Sequence, residues 1–557
     1  MPSLVLGPML RYVGDDEATI WVETDAPCEV SVLGTRAPTF TVAGHHYALV
    51  HCPGLEPGTS TPYEVTLDNE RVWPEAGSEF PASVIRTTDG AAPVKLMFGS
   101  CRVSAPHSEP YTLRKDEDDA GREVDALRNL ALRMRSSPVE TWPHSLIMLG
   151  DQVYADEVSP KAREEIKARR DTTLPPYETI ADFEEYTILY REAWGEPYMR
   201  WLLSTVATAM IFDDHDVHDD WNTSLEWITE MRATGWWDRR IVGGFSTYWL
   251  YQHLGNLSPA ELERNELYCQ VSESAADATD VLFEYAFCSD RQIEGVRWSF
   301  SRDIGAARLV MVDSRAGRVL DPGARSMVDD DEFAWIEEQV AGDFDHLLIG
   351  TSLPLMLAPG MHFLEAWNEQ LCDGKWGTPG RLLGERLRQG LDMEHWAAFR
   401  ASFDRMCHLL EDVATGRRGR APATVVTLSG DVHHAYLAEV GFPAGTGAQS
   451  NVWQATCSPF RNPLDSHERR IIRFATSRAG TLVGKALART AGVPDPHLRW
   501  RFVHDEPWFN NQVATLEIDG RSAHMRLEKT LDDASGAVAP GQDPELRLEQ
   551  VFEHALA

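Results

Sequence analysis

The sequence predicts a mixed α/β (α+β) protein in which a small all-β domain precedes a larger layered domain. Residues 1–90 contain short β-prone runs separated by Pro, Gly and Asp turns. From residue 94, apolar strand-like runs alternate with segments of helical periodicity. The 557 residues also exceed what one compact core usually holds, so we expect at least two domains.

The first domain, residues 1–90, is predicted to be a fibronectin type III-like β-sandwich. Its candidate strands are residues 18–23, 28–33 and 63–67. Residues 55–59 followed by Tyr63 resemble the corner where, in such sandwiches, a tyrosine hydroxyl bonds to the backbone upstream. A small β-domain of another topology is the alternative. We interpret residues 88–93 as the linker.

The second domain, residues 94–531, is predicted to contain central β-sheets flanked by helices. Beyond the four strands described below, its candidate strands are residues 308–313, 346–350 and 451–456. Apolar residues at helical spacing predict helices around Phe183 to Trp194 and Phe333 to Val340. Residues 532–557 are predicted to be a polar tail that ends in a short helix over 546–556.

Composition excludes several classes of protein. A net charge of −34 disfavours nucleic acid as a stable partner and favours metal cations. The 8 cysteines include no CxxC pair, which argues against a disulfide framework or a zinc ribbon. No apolar run reaches the roughly 18 residues of a transmembrane span. The first residues lack the pattern of an export signal, so we predict a cytoplasmic protein.

Four motifs follow apolar, strand-like runs and carry side chains that bind metals. The runs cover residues 94–98, 146–149, 206–212 and 425–428; the motifs are Ser100-Cys101-Arg102, Gly150-Asp151-Gln152-Val153-Tyr154, Asp213-Asp214-His215-Asp216 and Gly430-Asp431-Val432-His433. Taken singly, each motif is also typical of a helix cap or an ion pair. Together, at the carboxyl ends of strands, they predict one shared metal site.

The chemistry of these side chains suggests their roles. The Asp151 carboxylate can bridge two metals, and the Tyr154 phenolate is a hard ligand that suits ferric iron. Asp431 and His433 are two residues apart at a strand end and therefore share a face. As a ligand, Cys101 would be a thiolate, which requires a metal or positive charge nearby.

The acidic run of residues 213–220 offers two metal ligands and a proton donor. Asp214 is the preferred ligand, and Asp220 is the alternative. His215 is predicted to donate a proton or stabilise an oxyanion, because imidazole titrates near neutral pH. Arg102 offers a planar fork for a phosphate oxygen. Arg315 is predicted either to bind substrate or to pair with Asp313.

The four motifs, in this order behind a small β-domain, resemble the PhoD-like (alkaline phosphatase D) family of calcineurin-like metallophosphoesterases. The resemblance implies a layered metallophosphoesterase domain that hydrolyses phosphate monoesters and diesters with ferric iron and calcium, although other divalent metals remain open. It also implies a ligand set for each metal. The iron ligands would be Cys101, Asp151, Tyr154 and His433, and the ligands of the second metal would be Asp151, Asp214 and Asp431.

The sequence departs from the wider superfamily at two places. Residues 348–354 lack the further histidine expected after a late strand, and His218, Asp219 and Asp220 stand where relatives carry amides. The first departure is consistent with calcium, which prefers oxygen ligands. The second leaves the choice between Asp214 and Asp220 open.

The predicted function is hydrolysis of a phosphate ester by in-line attack of a metal-bound hydroxide, with Asp151, His215 and Arg102 as catalytic residues and Arg102 and Arg315 as substrate contacts. A metal-binding scaffold without catalysis is one alternative. A lipid or nucleotide diesterase is another, because residues 466–490 are basic and amphipathic. That segment is more typical of a helix packed on its own domain with a solvated basic face.

Overall fold

The N-terminal region of the computed structural model is built from short β-strands, as predicted. The model describes residues 1–90, 92–293, 295–531 and 548–557. Two four-stranded antiparallel sheets, in the orders β1-β2-β6-β5 and β4-β3-β8-β9, are accompanied by the ribbon β7-β10. The strands are β1 Leu4–Val13, β2 Glu17–Thr24, β3 Glu29–Val32, β4 Thr35–Pro38, β5 Phe40–Val42, β6 His45–Pro53, β7 Ser60–Pro62, β8 Val65–Leu67, β9 Glu70–Trp73 and β10 Val84–Arg86.

Two further sheets, with the helices between their strands, lie in the rest of the chain and confirm the mixed α/β fold class. One has the order β13-β12-β11-β21-β22-β23 and the other β14-β15-β16-β17-β19-β18-β20. Their strands are β11 Val94–Gly99, β12 Ser145–Leu149, β13 Ala207–Ile211, β14 Phe300–Ile304, β15 Ala307–Val312, β16 His346–Thr351, β17 Thr424–Ser429, β18 Tyr436–Gly441, β19 Asn451–Thr456, β20 Arg499–Phe502, β21 Gln512–Asp519, β22 Ser522–Thr530 and β23 Leu548–Ala555.

Helices cover these sheets and fill the long connections. The α-helices are α1 Ala126–Arg135, α2 Pro160–Arg169, α3 Phe183–Gly195, α4 Pro197–Thr205, α5 Leu225–Arg232, α6 Trp237–Thr247, α7 Pro259–Leu262, α8 Glu266–Ser272, α9 Thr279–Arg291, α10 Asp330–Gln339, α11 Pro359–Cys372, α12 Gly377–Gly390, α13 Arg400–Ala414, α14 Ser466–Thr476 and α15 Arg478–Thr490. A π-helix, Tyr248–His253, continues α6. No helix among the described residues is both long and apolar enough to cross a bilayer.

The second sheet is buried on both faces, and this explains its continuous apolar runs. In β15, Leu309 belongs to the core shared with the first sheet, whereas Val310 belongs to the core that also contains Phe333 of α10 and Phe403 of α13. Side chains of a strand alternate between faces, so β15 contributes to both cores. The parallel strands β15, β16 and β17 therefore lie in the middle of the fold, and their carboxyl ends share one edge.

Two local predictions are wrong. The Tyr63 hydroxyl donates a hydrogen bond of 2.5 Å to the carbonyl of Ser204, in the last turn of α4, and not to the backbone upstream. The last carbonyls of a helix have no partner within it, and α4 presents one directly to this tyrosine. The chain end is the strand β23 and not a helix, because it pairs with β22 and so satisfies its backbone along the sheet. The predicted tail over 532–547 lies outside the described residues.

Candidate metal centre

Four strand ends converge to form the candidate site. Cys101 follows β11, Asp151 follows β12 and Asp431 follows β17, while Asp213 and Asp214 follow β13. β11, β12 and β13 are adjacent and parallel, so their carboxyl ends open on the same edge. The order of the sheets thus brings together motifs that are more than 300 residues apart in the chain.

Two glycines allow this convergence. Gly150 has a φ of 106°, and a Cβ there would lie 2.5 Å from the Cβ of Asp213. At Gly430 a Cβ would lie 2.1 Å from the Oγ of Ser100. Both contacts are far inside van der Waals distance, so only glycine fits where the four loops meet.

The backbone of the site is held in an uncommon conformation. Cys101, Asp151, Asp431 and His433 have φ values of 56°, 55°, 64° and 50°. Non-glycine residues rarely occupy this left-handed region, which costs of order 1–3 kcal/mol each, and functional sites are among the places that retain such strain. Each of these residues belongs to the predicted ligand set.

The four predicted iron ligands lie together. Ligand atoms of Cys101, Asp151 and His433 are all within 4.8 Å of one another. The Cys101 Sγ is 3.2 Å from Oδ2 of Asp151, and the Tyr154 hydroxyl donates to the same oxygen over 3.3 Å. Asn462 donates to the Tyr154 hydroxyl over 3.2 Å, which fixes the orientation of the phenol. A thiol, a carboxylate, a phenol and an imidazole suit a ferric or similar transition-metal ion.

A second group of carboxylates adjoins the first. Oxygens of Asp213, Asp214 and Asp431 lie within 4.8 Å of one another, and Asp151, Asp214 and His215 form an overlapping group. Oδ1 of Asp151 is buried without a hydrogen-bond partner, and Oδ1 of Asp214 is buried with only an ion-pair contact to Arg315. In the described part of the chain, the metal-type groups contain Asp214 and not Asp220. This favours Asp214 as the ligand; Asp220 donates its backbone N–H to Oδ2 of Asp214.

Arg315 is buried among these carboxylates and does not face solvent. Its guanidinium forms short ion pairs with Asp213 and Glu394, and its Nη2 lies 3.2 Å from Oδ1 of Asp214 and 3.7 Å from Oδ1 of Asp431. Its predicted side-chain partner, Asp313, instead accepts the backbone N–H of Arg315. The buried guanidinium supplies a fixed positive charge to the acidic cluster, so we correct the prediction that it binds substrate.

Arg102 also has a different role from the predicted one. Its Nε and Nη2 both donate to Oδ2 of Asp125, and its Nη1 donates to the carbonyl of Ala193. Asp125 is fully buried and caps the N-terminus of α1. The guanidinium is therefore committed to a structural salt bridge, since burial leaves no free face for a phosphate.

His215 lies at the rim of the site and is held by a carboxylate. Its Nδ1 is 2.9 Å from Oδ1 of Asp156, and its ring centroid lies 4.6 Å from that of Tyr154, with the two rings tilted by 31°. Burial lowers the pKa of His215, but the charges of Asp156 and Asp214 outweigh burial and raise this pKa well above its usual value. The metal-free site therefore favours the protonated imidazole, and Asp156 holds one of its nitrogens in place, as a proton donor requires.

Two residues outside the predicted set complete the site. His395, in the loop after α12, lies 3.0 Å through Nε2 from Oδ2 of Asp431 and 2.8 Å through Nδ1 from Oε1 of Glu365. Asp216 accepts the backbone N–H groups of Asp151, Val153 and Asp213 and so ties the loops after β12 and β13 together. His395 follows no strand, so only the local cluster Asp392, Glu394 and His395 signals it in the sequence.

The electrostatics of the centre fit a bound cation. Burial and the neighbouring carboxylates raise the pKa values of Cys101 and Asp151 well above their usual ranges. A metal ion reverses this effect, because it stabilises the thiolate and the carboxylate directly. Burial also lowers the pKa of His433 to about 4, which leaves its imidazole neutral and able to donate a lone pair. The unpaired Oδ1 of Asp151 and the donor set therefore fit the predicted metals.

Two regions of the chain match known protein families. Residues 132–343 match the family described as PhoD-like phosphatase, and residues 1–85 match a family described as a domain of unknown function, DUF7800. The first match includes Asp151, Tyr154, Asp214, His215 and Arg315. No curated protein matches the chain significantly.

Two solved structures are similar to the whole chain. A structure of PhoD is 10% identical, with 99% of this chain and 90% of that chain covered and a TM-score of 0.58. Purple acid phosphatase PPD1 from yellow lupin (Lupinus luteus) seeds is 10% identical, with coverages of 94% and 71% and a TM-score of 0.47. At this identity the first of these matches shows a shared fold.

Proposed function

We propose that this chain, which belongs to the PhoD-like phosphatase family, hydrolyses phosphate esters at a metal centre formed by the carboxyl ends of β11, β12, β13 and β17. The observation that carries the proposal is the convergence of Cys101, Asp151 and His433, whose ligand atoms lie within 4.8 Å, with the Tyr154 hydroxyl 3.3 Å from Asp151. Burial of these groups without a full set of hydrogen bonds is costly unless a cation binds them.

The residues divide between two metal positions. Cys101, Asp151, Tyr154 and His433 would hold ferric iron, and Asp151, Asp214 and Asp431 would hold calcium or another divalent ion. Bound metals would supply charge stabilisation for the phosphoryl oxygens and would lower the pKa of an attacking water molecule. Arg315 contributes a permanent positive charge beside the second position.

The chain's own residues would position the metal ligands and protonate the leaving group. His215 would donate a proton to the leaving oxygen, and Asp156 holds the imidazole in the required orientation. Glu365 fixes His395, and His395 in turn orients the carboxylate of Asp431. Asp216 holds the loops that carry Asp151 and Asp213, so it acts through the backbone.

The test is hydrolysis of p-nitrophenyl phosphate and of its bis-ester, side by side, with iron and calcium supplied separately and together. We expect turnover by the wild type, loss of nearly all turnover in Asp151→Ala, and wild-type turnover in the surface control Glu164→Ala. The ratio of the two rates gives the preference between monoesters and diesters. Wild-type turnover by Asp151→Ala would contradict the assignment of Asp151 as a metal ligand needed for catalysis. Bound metal without hydrolysis of either ester would favour a non-catalytic scaffold.

Metal identity has a separate test. A ferric ion bound to a phenolate absorbs visible light, so Tyr154→Phe should remove a visible band that the iron-loaded wild type shows. Elemental analysis of both proteins would show whether iron is still bound. An unchanged visible spectrum in Tyr154→Phe would contradict the assignment of Tyr154 as a ligand.

A further inference from the structure

Large apolar side chains on the surface are concentrated on one group of helices. Of the fourteen exposed large apolar residues in the described ranges, eight lie on or beside α12, α14 and α15. They are Trp376, Leu382, Leu383, Leu391, Ile471, Phe474, Leu482 and Val483. We name four of them, Ile471, Phe474, Leu482 and Val483, with the exposed basic residues of α14 and α15, the apolar–basic surface, because α14 and α15 are consecutive helices that pack on each other. A soluble protein rarely leaves such a patch uncovered unless something binds it.

The packing of these helices explains why the apolar residues face outward. At Gly484 of α15 a Cβ would lie 2.6 Å from the carbonyl oxygen of Gly360 in α11, and at Gly384 of α12 a Cβ would lie 2.8 Å from Sγ of Cys372, also in α11. α12 and α15 thus turn their glycine faces toward α11. Residues one and two positions before such a glycine point away from that contact. Leu382 and Leu482 are 61% and 68% exposed for this reason.

The same helices carry a local charge opposite to that of the protein. α12, α14 and α15 contain nine Arg or Lys residues against two Glu, in a chain whose net charge is −34. The exposed cations include Arg381, Arg386, Arg470, Arg478 and Arg489. Basic groups that surround exposed apolar side chains are the pattern of a helix surface that lies on anionic lipid.

We propose that the apolar–basic surface docks on a lipid bilayer with anionic headgroups. The apolar side chains would enter the boundary between headgroups and acyl chains, and the arginines would contact lipid phosphates. A second copy of this chain is a less suitable partner for the surface, because two apolar–basic surfaces in contact would bring like charges together. The acidic remainder of the protein is repelled by anionic lipid, so contact is confined to this one face.

The apolar–basic surface lies beside the metal centre. Its helix α14 begins four residues after Asn462, which donates a hydrogen bond to the hydroxyl of Tyr154. Docking would therefore hold the centre close to the bilayer, whatever ester it acts on.

The experiment is sedimentation of the full chain with vesicles of phosphatidylcholine alone or mixed equally with phosphatidylglycerol. Two double variants probe the surface: Leu482→Glu/Val483→Glu removes apolar contact, and Arg478→Gln/Arg489→Gln removes charge. The matched control, Val281→Glu/Phe287→Glu, changes exposed apolar residues of α9. Thermal unfolding and light scattering of every variant report folding and oligomeric state.

We expect the wild type to sediment with the mixed vesicles and much less with phosphatidylcholine. Each surface variant should lower binding by roughly tenfold or more, the control should not, and salt should weaken wild-type binding. Absence of wild-type binding, or equal losses in the control, would overturn the proposal. So would a wild-type oligomer that Leu482→Glu/Val483→Glu dissociates, since the occupant would then be a second copy. Hydrolysis of a soluble ester, measured in parallel, reports separately on the metal centre.

Discussion

Two polar clusters of this protein are built in opposite ways. Where the N-terminal sheets meet the rest of the chain, Glu23 accepts from His45 at 2.8 Å and from the Tyr251 hydroxyl at 2.9 Å, and the other nitrogen of His45 lies 3.0 Å from Glu184. Both oxygens of Glu23 and both nitrogens of His45 have a partner. In the metal centre, by contrast, Oδ1 of Asp151 is buried without a hydrogen-bond partner, and Oδ1 of Asp214 has only an ion-pair contact of 3.2 Å with Arg315.

The backbone shows the same contrast. Glu23 and His45 lie in the regular strands β2 and β6, whereas Asp151 has a φ of 55°. A satisfied network on regular strands stabilises the fold by itself. An acidic cluster on strained loops that leaves buried carboxylate oxygens without hydrogen bonds costs stability until a cation binds it. The difference separates a structural cluster from a functional one without reference to relatives.

The largest effect should come from Asp151→Asn, and it should have opposite signs for activity and for stability. Turnover should fall by about 10³-fold or more, equivalent to about 4 kcal/mol, because the shared ligand is lost. Burial raises the pKa of Asp151 in the folded state, so this carboxyl costs stability above the unfolded-state pKa of about 4. The metal-free variant should therefore unfold at higher denaturant concentration than the metal-free wild type.

The control for that prediction is Glu23→Gln, in which the structural cluster loses a charge. It should leave turnover unchanged and lower the free energy of unfolding by about 1–3 kcal/mol. Equal destabilisation of the metal-free protein by both variants would contradict the proposal that the Glu23 cluster stabilises the fold and the Asp151 cluster does not.

Arg102→Ala should have the next largest effect, and the effect should be on stability. It leaves the carboxylate of Asp125 buried without its partner, which costs about 3–5 kcal/mol. Denaturant unfolding measures the loss, and Arg102→Lys should restore part of it. If Arg102→Ala instead raises KM with stability unchanged, Arg102 contacts substrate after all.

His395→Ala should lower metal affinity or turnover by about 10–100-fold, because such losses are typical when a group that orients a metal ligand is removed. Glu365→Gln should have a smaller effect of the same kind, since it acts one contact further away. Titration with calcium, followed by the rise in unfolding temperature, distinguishes this role from a purely structural one. Unchanged calcium affinity in both variants would show that His395 does not orient a metal ligand.

The smallest effect should be the pH dependence of the structural cluster. Burial lowers the pKa of His45, but its hydrogen bonds to Glu184 and Glu23 outweigh burial and raise the pKa to about 9. The folded pKa exceeds the unfolded value of about 6.5, so His45 stabilises fully below about pH 6.5 and progressively less up to about pH 9. His45→Gln should flatten the wild-type decline in unfolding temperature over this range. A parallel decline in both proteins would exclude His45 as the cause.

The local sequence was enough to predict the strands that carry the residues of the centre. The apolar runs ending near Cys101, Asp151 and Asp431 are strands at the predicted places, because buried parallel strands need continuous apolar residues. The direction of a long side chain was not predictable. Arg102 and Arg315 follow strands as expected, but their guanidinium groups turn to Asp125 and Asp213, which only the tertiary structure brings near.

Other features depend on partners far along the chain. His395 belongs to the centre because the loop after α12 brings it to Asp431. No periodic pattern in the sequence predicts this contact. The strand β23 contains residues with good helix propensity, and pairing with β22 overrides that propensity. Both cases involve contacts that are set by the assembled fold.

The order of strands in the first sheet has a consequence for synthesis. β11, which leads to Cys101, pairs on one side with β21, about 400 residues later in the chain. A growing chain on the ribosome therefore carries β11 with one edge open until β21 and β22 emerge. Open edges invite pairing with other chains, so this protein is most exposed to aggregation late in translation. Stalling before residue 512 should be far more harmful than stalling after residue 530.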